Sequence, residues 1–288
     1  MLGGNKMIKN ASAYVEVGEE IKSDFLSNIS HELRTPISII YGAIRNIDID
    51  MKERNIVISE KSSEYIDSIR KSVDRLLRLF DNILEITNIR AGLADLDLVV
   101  CNIVNVIEDI NFSIAEYLKK YNISVIFDTE IEERYLKIDP SIIERVILNL
   151  VSNAIKYSKV DTRTEIFIKV YEDENKVYIS IKDNGIGIEQ ENFNKIFDIF
   201  SQTNECMTKN TEGSGAGLFL VKLLLDLLNA DIKVYSELGQ GSEFIIDLPI
   251  EYQLDFDPYD EEIFEDFSIR KEHLEKEFSD IDMEKRNR

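Results

Sequence analysis

Little in this chain could carry covalent cross-linking or metal chemistry. It has two cysteines, Cys101 and Cys206, far apart and without metal-ligand spacing around either. Each reads as a lone reduced thiol, which sets aside a disulfide framework and a cysteine zinc site. Bases are scarce, 34 against 55 acids, and the formal charge of −21 sets aside nucleic acid and anionic membrane surfaces as partners. No run of roughly 18 apolar residues occurs, and the opening MLGGNKMIKN lacks the apolar segment of a signal peptide. The expectation is a cytoplasmic protein with no membrane segment in this chain. MLGG reads as a linker or expression remnant, and a membrane tether in a longer native protein stays open. Histidine is rare too: only His31 and His273 occur.

What is present is a globular mixture of 44% hydrophobic and 31% charged residues over 288 positions, enough for two ordinary modules. From Ile21 to about Ile47, apolar residues (Leu26, Ile29, Leu33, Ile37, Ile40, Ile44, Ile47) recur at intervals of three and four. That spacing predicts a helix. After the connection DIDMKERN, the positions Ile66, Ile69, Val73, Leu76, Phe80, Ile83 and Thr87 alternate three and four without a slip, and Leu77 and Leu84 widen the seam. Two such helices make an antiparallel hairpin whose stripe one partner cannot bury. Pairing two hairpins into a four-helix bundle solves this, the alternative being a hairpin packed on the next domain.

The pattern then changes. A short strand LDLVV precedes a helix from about Ile103 to Lys119, strands ISVIFD and YLKI, and a helix from Pro140 to Tyr157 entered through Asp139 as N-cap. Strands TEIFIKVY and KVYISIKD follow, then the glycine turn DNGIGI, a polar loop, a helix opened by GSGAGL, and a closing hairpin. The predicted fold is α+β: the helical hairpin, then an α/β sandwich with helices over one face of a mixed sheet. The expected division is 1–20 linker, 21–92 hairpin, 93–250 sandwich, and 251–288 an acidic extension. Phe256, Ile263, Phe264, Phe267 and Ile269 should bring part of that extension back onto the second domain. His273, in a charged helical stretch, is expected to be a solvated surface residue.

On the Pro140 helix, Asn149, Asn153 and Lys156 are spaced four and three, so one face shows two amides and an ammonium. Amide oxygens suit Mg²⁺ and lysine suits phosphate, although a solvated polar face has the same pattern. Asp183 enters DNGIGI, where Gly185 and Gly187 allow close backbone approach to a ligand. GSGAGL, Gly213 to Leu218, offers unpaired N–H groups at a helix start.

An Asn/Asn/Lys helix, then the Asp-Gly turn, then the glycine triplet is a specific order. It resembles the nucleotide-binding domain of histidine kinases and of the gyrase, heat-shock chaperone and mismatch-repair ATPases. Ahead of it, SHELRTP resembles the phosphoacceptor motif of sensor histidine kinases, and the likeness extends over about Lys22 to Pro249. The resemblance implies ATP and Mg²⁺ as cofactors, a homodimer through the hairpin, and the receiver domain of a response regulator as partner. By the same similarity His31 is the nucleophile toward the γ-phosphorus of ATP, and Glu32 the base that holds its imidazole. Thr35 would orient water for a phosphatase activity on that partner. Asn153 would ligate Mg²⁺, while Asn149 and Lys156 approach the phosphates. Tyr157 would line the adenine site, and Asp183 would accept from the adenine amino group. Gly185, Gly187, Gly213, Gly215, Gly217 and Leu218 would shape the pocket and its lid.

Pro36, in mid-stripe, removes a helical hydrogen bond and displaces the carbonyl of Glu32, so a bend just past His31 is expected. Asn149 stands where hydrolysing relatives carry a glutamate, and an amide takes no proton, so transfer to histidine is favoured over hydrolysis. Two departures from the pattern stand out. IFDIFSQTNECMTKN keeps Phe197 and Phe200 but lacks an arginine, leaving Lys209 as the main lid cation. Asn229-Ala230 replaces a Gly-Gly, with Asn able to take the left-handed cap. Two rival classes remain at this stage: a nucleotide-binding scaffold without turnover, and an ATPase that couples hydrolysis to conformational change.

Overall fold

The computed structural model describes residues 37–47, 60–159, 162–198, 215–250, 263–264, 271–278 and 281. The chain divides into two compact units, Met1–Leu77 and Arg78–Arg288, and the division falls inside a helix.

The first unit holds helix α1, residues 37–47, and the opening half of α2, Glu60–Arg90. Both were expected from their three-and-four spacing; the start expected for the first helix, with its proline bend, lies outside the described residues. The seam positions Ile37 and Ile44 of α1, and Ile66, Val73 and Leu77 of α2, are exposed, whereas Ala43 and Ser72 are buried. Ser72 Oγ donates back to the Ser68 carbonyl at 2.8 Å, which satisfies its hydroxyl within the helix.

The second unit begins with the rest of α2. Leu79 and Ile86 are buried there, while Phe80 and Leu84 face outward. The helix stops at Gly92, whose φ of 68° takes the left-handed cap; Gly92 N donates to Ile89 O and Leu93 N to Asn88 O. After it come β1 (Val99–Asn102), α3 (Ile103–Leu118), β2 (Ile123–Thr129), β3 (Tyr135–Ile138), α4 (Pro140–Lys156), β4 (Thr164–Glu172) and β5 (Lys176–Asp183). A single 3₁₀ turn at Gln190–Asn192 precedes α5 (Gly217–Leu227), β6 (Asp231–Glu237) and β7 (Gly241–Pro249). Local chemistry fixes the helix starts: Asn102 accepts from Val104 N at 3.1 Å ahead of α3, and Asp139 accepts from Ser141 N at 3.0 Å ahead of α4, with Pro140 at the first helical position.

Five strands form one mixed sheet in the order β2-β4-β5-β7-β6, parallel between β2 and β4 and antiparallel elsewhere. Alternation places Ile166, Ile168 and Val170 of β4, Val177, Ile179 and Ile181 of β5, and Ile246 and Leu248 of β7 on the buried face. Ile110 and Ile114 of α3, Ile147 and Val151 of α4, and Leu220 and Leu224 of α5 are buried with them, which gives the layered core that the sequence predicts. At the end of α5, Asn229 takes φ 52°, so the left-handed cap is made by asparagine as expected.

β1 and β3 lie outside the mixed sheet; they pair antiparallel in a separate three-stranded sheet whose third member, β8 (Ile263–Phe264), comes from the acidic extension and lies parallel to β1. A two-residue strand carries no alternation signal, so pattern alone could not assign it. The extension then forms α6 (Lys271–Glu277), and Leu274, Phe278 and Ile281 are buried, with the Phe278 ring stacked on Tyr117 at 5.6 Å. The return of this segment onto the second unit was expected from its apolar residues.

Candidate functional site

Three pieces of the second unit converge: the C-terminal half of α4, the turn after β5, and the start of α5. Asn149 on α4 is 2% exposed, because Val146, Ile147, Leu150 and Val151 pack the helix down around it. Its Nδ2 donates to the Arg145 carbonyl at 3.0 Å, which turns Oδ1 toward the start of α5. A Cβ on Gly217 would stand 2.8 Å from that oxygen, so glycine here lets the first turn of α5 close on the amide. Asn153 and Lys156 follow one turn and two turns along the same helix, both partly exposed.

α4 ends at Tyr157, a partly exposed ring whose carbonyl accepts from Ile186 N at 3.0 Å. That bond ties the DNGIGI turn to the helix. A Cβ on Gly185 would lie 2.6 Å from the same carbonyl oxygen, and Gly187, at φ 76°, would push one to 2.1 Å from Glu237 O. Asn184 fastens the other side of the turn, accepting from Glu165 N at 3.0 Å and donating to Arg163 O at 2.9 Å.

Asp183 Oδ1 accepts from Gly185 N at 2.7 Å and from Ser242 N at 3.3 Å. Oδ2 meets no partner among the described residues and is the oxygen left for an incoming donor. Burial pushes the carboxyl above its ordinary value; the two backbone donors and the charge of Lys159 pull back against that rise. The site therefore offers a half-buried acceptor suited to an exocyclic amine, a face of amides and an ammonium suited to phosphates and a hard cation, and the start of a helix with Gly215 at φ 65°.

Of the residues singled out in the sequence, Asn149, Asn153, Lys156, Tyr157, Asp183, Gly185, Gly187, Gly215, Gly217 and Leu218 lie on these three pieces. His31, Glu32, Thr35, Lys209 and Gly213 lie outside the described residues, as does Phe200. Phe197 packs edge-on against Phe244, ring centroids 6.4 Å apart. Two contributors were missed. Gly241, at φ 109°, leaves room for the Asp183 carbonyl, from which a Cβ would be only 2.0 Å away, and Ser242 N holds the Asp183 carboxylate. The spacing of Gly239 and Gly241 was a signal for a special backbone, but nothing local pointed it at Asp183. His273 lies at the surface as expected, its side chain 52% exposed; what the sequence did not indicate is that Nδ1 sits 2.8 Å from Oε1 of the buried Glu144, a partner 129 residues away.

A helix of amides set against a glycine-opened helix, with an aspartate turn at the far end, over a mixed sheet, defines a nucleotide-binding domain of the histidine kinase, gyrase and chaperone ATPase class. The family described as "Histidine kinase-, DNA gyrase B-, and HSP90-like ATPase" matches residues 138–252, and the "His Kinase A (phospho-acceptor) domain" matches 21–92. The chain belongs to the sensor histidine kinases of two-component systems, and its second unit is of the ATP-using kind.

Among its relatives, the sensor histidine kinase GacS of Pseudomonas protegens is 32% identical over 234 residues, covering 79% of this chain and 24% of that protein. The circadian input-output histidine kinase CikA of Synechococcus elongatus is 28% identical over 242 residues, covering 83% and 31%. The chain thus spans about a quarter to about a third of the length of these curated relatives. Two solved structures share the fold. The histidine kinase ThkA in complex with response regulator protein TrrA has a TM-score of 0.62 at 24% identity, covering 81% of this chain and 63% of that one. The Acinetobacter baumannii histidine kinase AdeS has a TM-score of 0.58 at 22% identity, covering 76% and 97%. Among the described residues no helix is long and apolar enough to cross a membrane.

Proposed function

We propose that this chain is the catalytic core of a cytoplasmic sensor kinase that phosphorylates its own His31 from ATP and passes the phosphoryl group to an aspartate of a response regulator. In this reading residues 21–92 carry dimerisation and the phosphoacceptor, residues 93–250 bind ATP, residues 1–20 are a linker, and 251–288 an appended extension. The observation that carries the proposal is the closure of Gly217 on the buried amide of Asn149, with Asp183 presenting an unpaired oxygen at the other end of the site.

The residues present fit both ligands. Asp183 Oδ2 accepts the adenine amino group and Tyr157 lines the ring, while Lys156, Asn149 and the start of α5, including Gly215, Gly217 and Leu218, face the phosphates. Gly185 and Gly187 keep the adenine end open, and Gly213 and Lys209 belong to the lid. Among the described residues no group of three His, Cys, Asp or Glu side chains could hold a metal alone. A Mg²⁺ ion would therefore be held by the Asn153 amide oxygen together with phosphate oxygens, the hard, sparse protein ligation this ion favours, and would neutralise charge on the transferring group.

The neutral imidazole of His31 attacks the γ-phosphorus, the bond to the β,γ-bridging oxygen breaks, and ADP departs with that electron pair. Glu32 takes the imidazole proton. Asn149 cannot activate a competing water, because an amide has no basic site at neutral pH. Thr35 places a hydroxyl for the reverse duty, dephosphorylation of the receiver aspartate. The exposed heptad residues Ile66, Val73, Leu77, Phe80 and Leu84 support a homodimer in which a second hairpin covers the stripe.

The test is incubation with γ-labelled ATP and Mg²⁺, followed by acid and alkali treatment. Acid-labile, alkali-stable label that disappears in His31→Ala is expected. Sustained phosphate release unaffected by that substitution would instead mark an ATPase. Thr35→Ala should abolish regulator dephosphorylation while sparing self-labelling.

A further inference from the structure

The ATP site leaves the acidic extension unexplained, yet its helix touches both α2 and α4. Glu277 of α6 pairs with Arg78 of α2, their side chains only 12% and 10% exposed. Lys276 pairs with Asp81 of α2, and His273 Nδ1 sits 2.8 Å from Glu144 of α4. The Glu277 carbonyl accepts from Ser152 Oγ of α4 at 3.4 Å, and the same hydroxyl accepts from Arg78 at 3.4 Å. Beneath these polar contacts Leu274, Phe278 and Ile281 are buried, so the segment has an apolar anchor on the second unit and an ionic grip on α2. Direct contacts between α2 and the helices of the nucleotide site run alongside. Arg145 pairs with Glu85 at 2.5 Å, and Arg90 lies over the Phe219 ring at 5.0 Å.

We propose that residues 271–278 and 281 are an autoinhibitory strap, fastening the end of α2 to the ATP-binding unit and restraining the movement that autophosphorylation requires. The inference rests on the kinase reading above. His31 must meet ATP in one step and a receiver aspartate in the next, so a nucleotide-binding unit cannot stay in one place along the hairpin. α2 is part of that hairpin, and every bond from α6 to it must part or slide for the unit to travel. The two ionic grips differ in kind. Removing one partner of the buried Arg78–Glu277 pair strands a charge in the interior and damages the fold. The Lys276–Asp81 pair is partly exposed, 48% and 38%, so it is the grip that opens without such a penalty.

The experiment uses the full chain with Lys276→Glu, which sets like charges together, and with Lys276→Glu plus Asp81→Lys, which restores the pair with its signs exchanged. Three quantities are read: amide hydrogen exchange over residues 271–278, ATP affinity, and the initial rate of acid-labile labelling at saturating ATP. The single variant should exchange faster and label faster by about threefold, the scale of population shift that a partly exposed pair supports, with ATP affinity unchanged. The doubly changed chain should return to the behaviour of the unaltered one. Faster exchange with an unchanged or slower labelling rate would overturn the strap, because the segment would then be structural or activating. A chain that binds ATP but takes no label in any of the three forms would sink the kinase reading and the strap's regulatory role with it. The exchange data would still report whether α6 had been released.

Discussion

Gly187 and Gly239 offer a controlled comparison of what glycine does at the Asp183 end of the site. Both sit in the left-handed region, at φ 76° and 79°, in neighbouring turns that are joined by a hydrogen bond from Gly239 N to Ile186 O of 2.7 Å. Their surroundings differ. A Cβ at 239 meets nothing within 4 Å, whereas one at 187 would stand 2.1 Å from the Glu237 carbonyl oxygen and 2.7 Å from its carbon. Gly239→Ala therefore isolates the cost of placing an L side chain in that conformation, about 1 kcal/mol.

Gly187→Ala adds a collision with backbone. Non-bonded atoms rest at about 3.5 Å, so one strand end must retreat by more than about 1 Å. The 2.7 Å bonds from Gly239 N to Ile186 O and from Ile188 N to Ser236 Oγ oppose that retreat. Losing one of them costs about 1 kcal/mol net and the crowding about 1 kcal/mol or more, so the total is about 3 kcal/mol. Equilibrium urea unfolding followed by circular dichroism, with ATP binding measured on the same proteins, checks this. Gly187→Ala should lose about 2 kcal/mol more than Gly239→Ala and bind ATP about tenfold more weakly, because the displaced turn carries Asp183. Equal losses for the two variants, within about 0.5 kcal/mol, would refute the reasoning.

Asp183→Asn should keep both backbone bonds through its Oδ1 yet present an NH₂ group where the adenine amine needs an acceptor, so ATP binding is lost without unfolding. Its effect on stability has a definite sign. Because burial raises the carboxyl's pKa, the folded state holds the proton more tightly than the unfolded state. The group's stabilising contribution is complete below the unfolded value and is lost as pH rises through the folded one, so the amide variant should unfold at equal or higher urea than the parent at neutral pH. Asp139→Ala removes acceptors for Ser141 N, Ser141 Oγ and Asp97 N and should cost about 2 kcal/mol in the same urea assay. Burial pushes the Cys101 thiol up to about 12, so in a Cys206→Ser chain at pH 8 iodoacetamide should leave it unmodified until urea is added.

What was legible in the sequence was whatever one element could state by itself. Asn149, Asn153 and Lys156 share a face because they share a helix, and that helix announces its start with Asp139 and Pro140. The DNGIGI turn and the start of α5 were legible for the same reason, since glycines specify local backbone. The clasp on Asp183 was not, because Gly241 and Ser242 act across the sheet on a residue whose own sequence neighbourhood says nothing about them. The pairing of β8 with β1 was equally hidden, because two residues are too few to show a period.

The charged residues of α6 show most clearly where pattern reading ends. A stretch such as IRKEHLEKEF has the composition of a solvated helix, and by composition alone His273, Lys276 and Glu277 belong to water. Folding gives Lys276 and Glu277 opposite charges from distant parts of the chain, Glu277 finding Arg78 from 199 residues away, and sets His273 beside Glu144. Apolar anchors decide this outcome: Leu274, Phe278 and Ile281 fix which face of the short helix turns inward, and the charges follow the backbone they sit on. A seven-residue helix has too little length to be stable alone, so its order depends on that docking. An element held by tertiary contacts, with its ionic grip partly in water, is one that a modest change in charge can release.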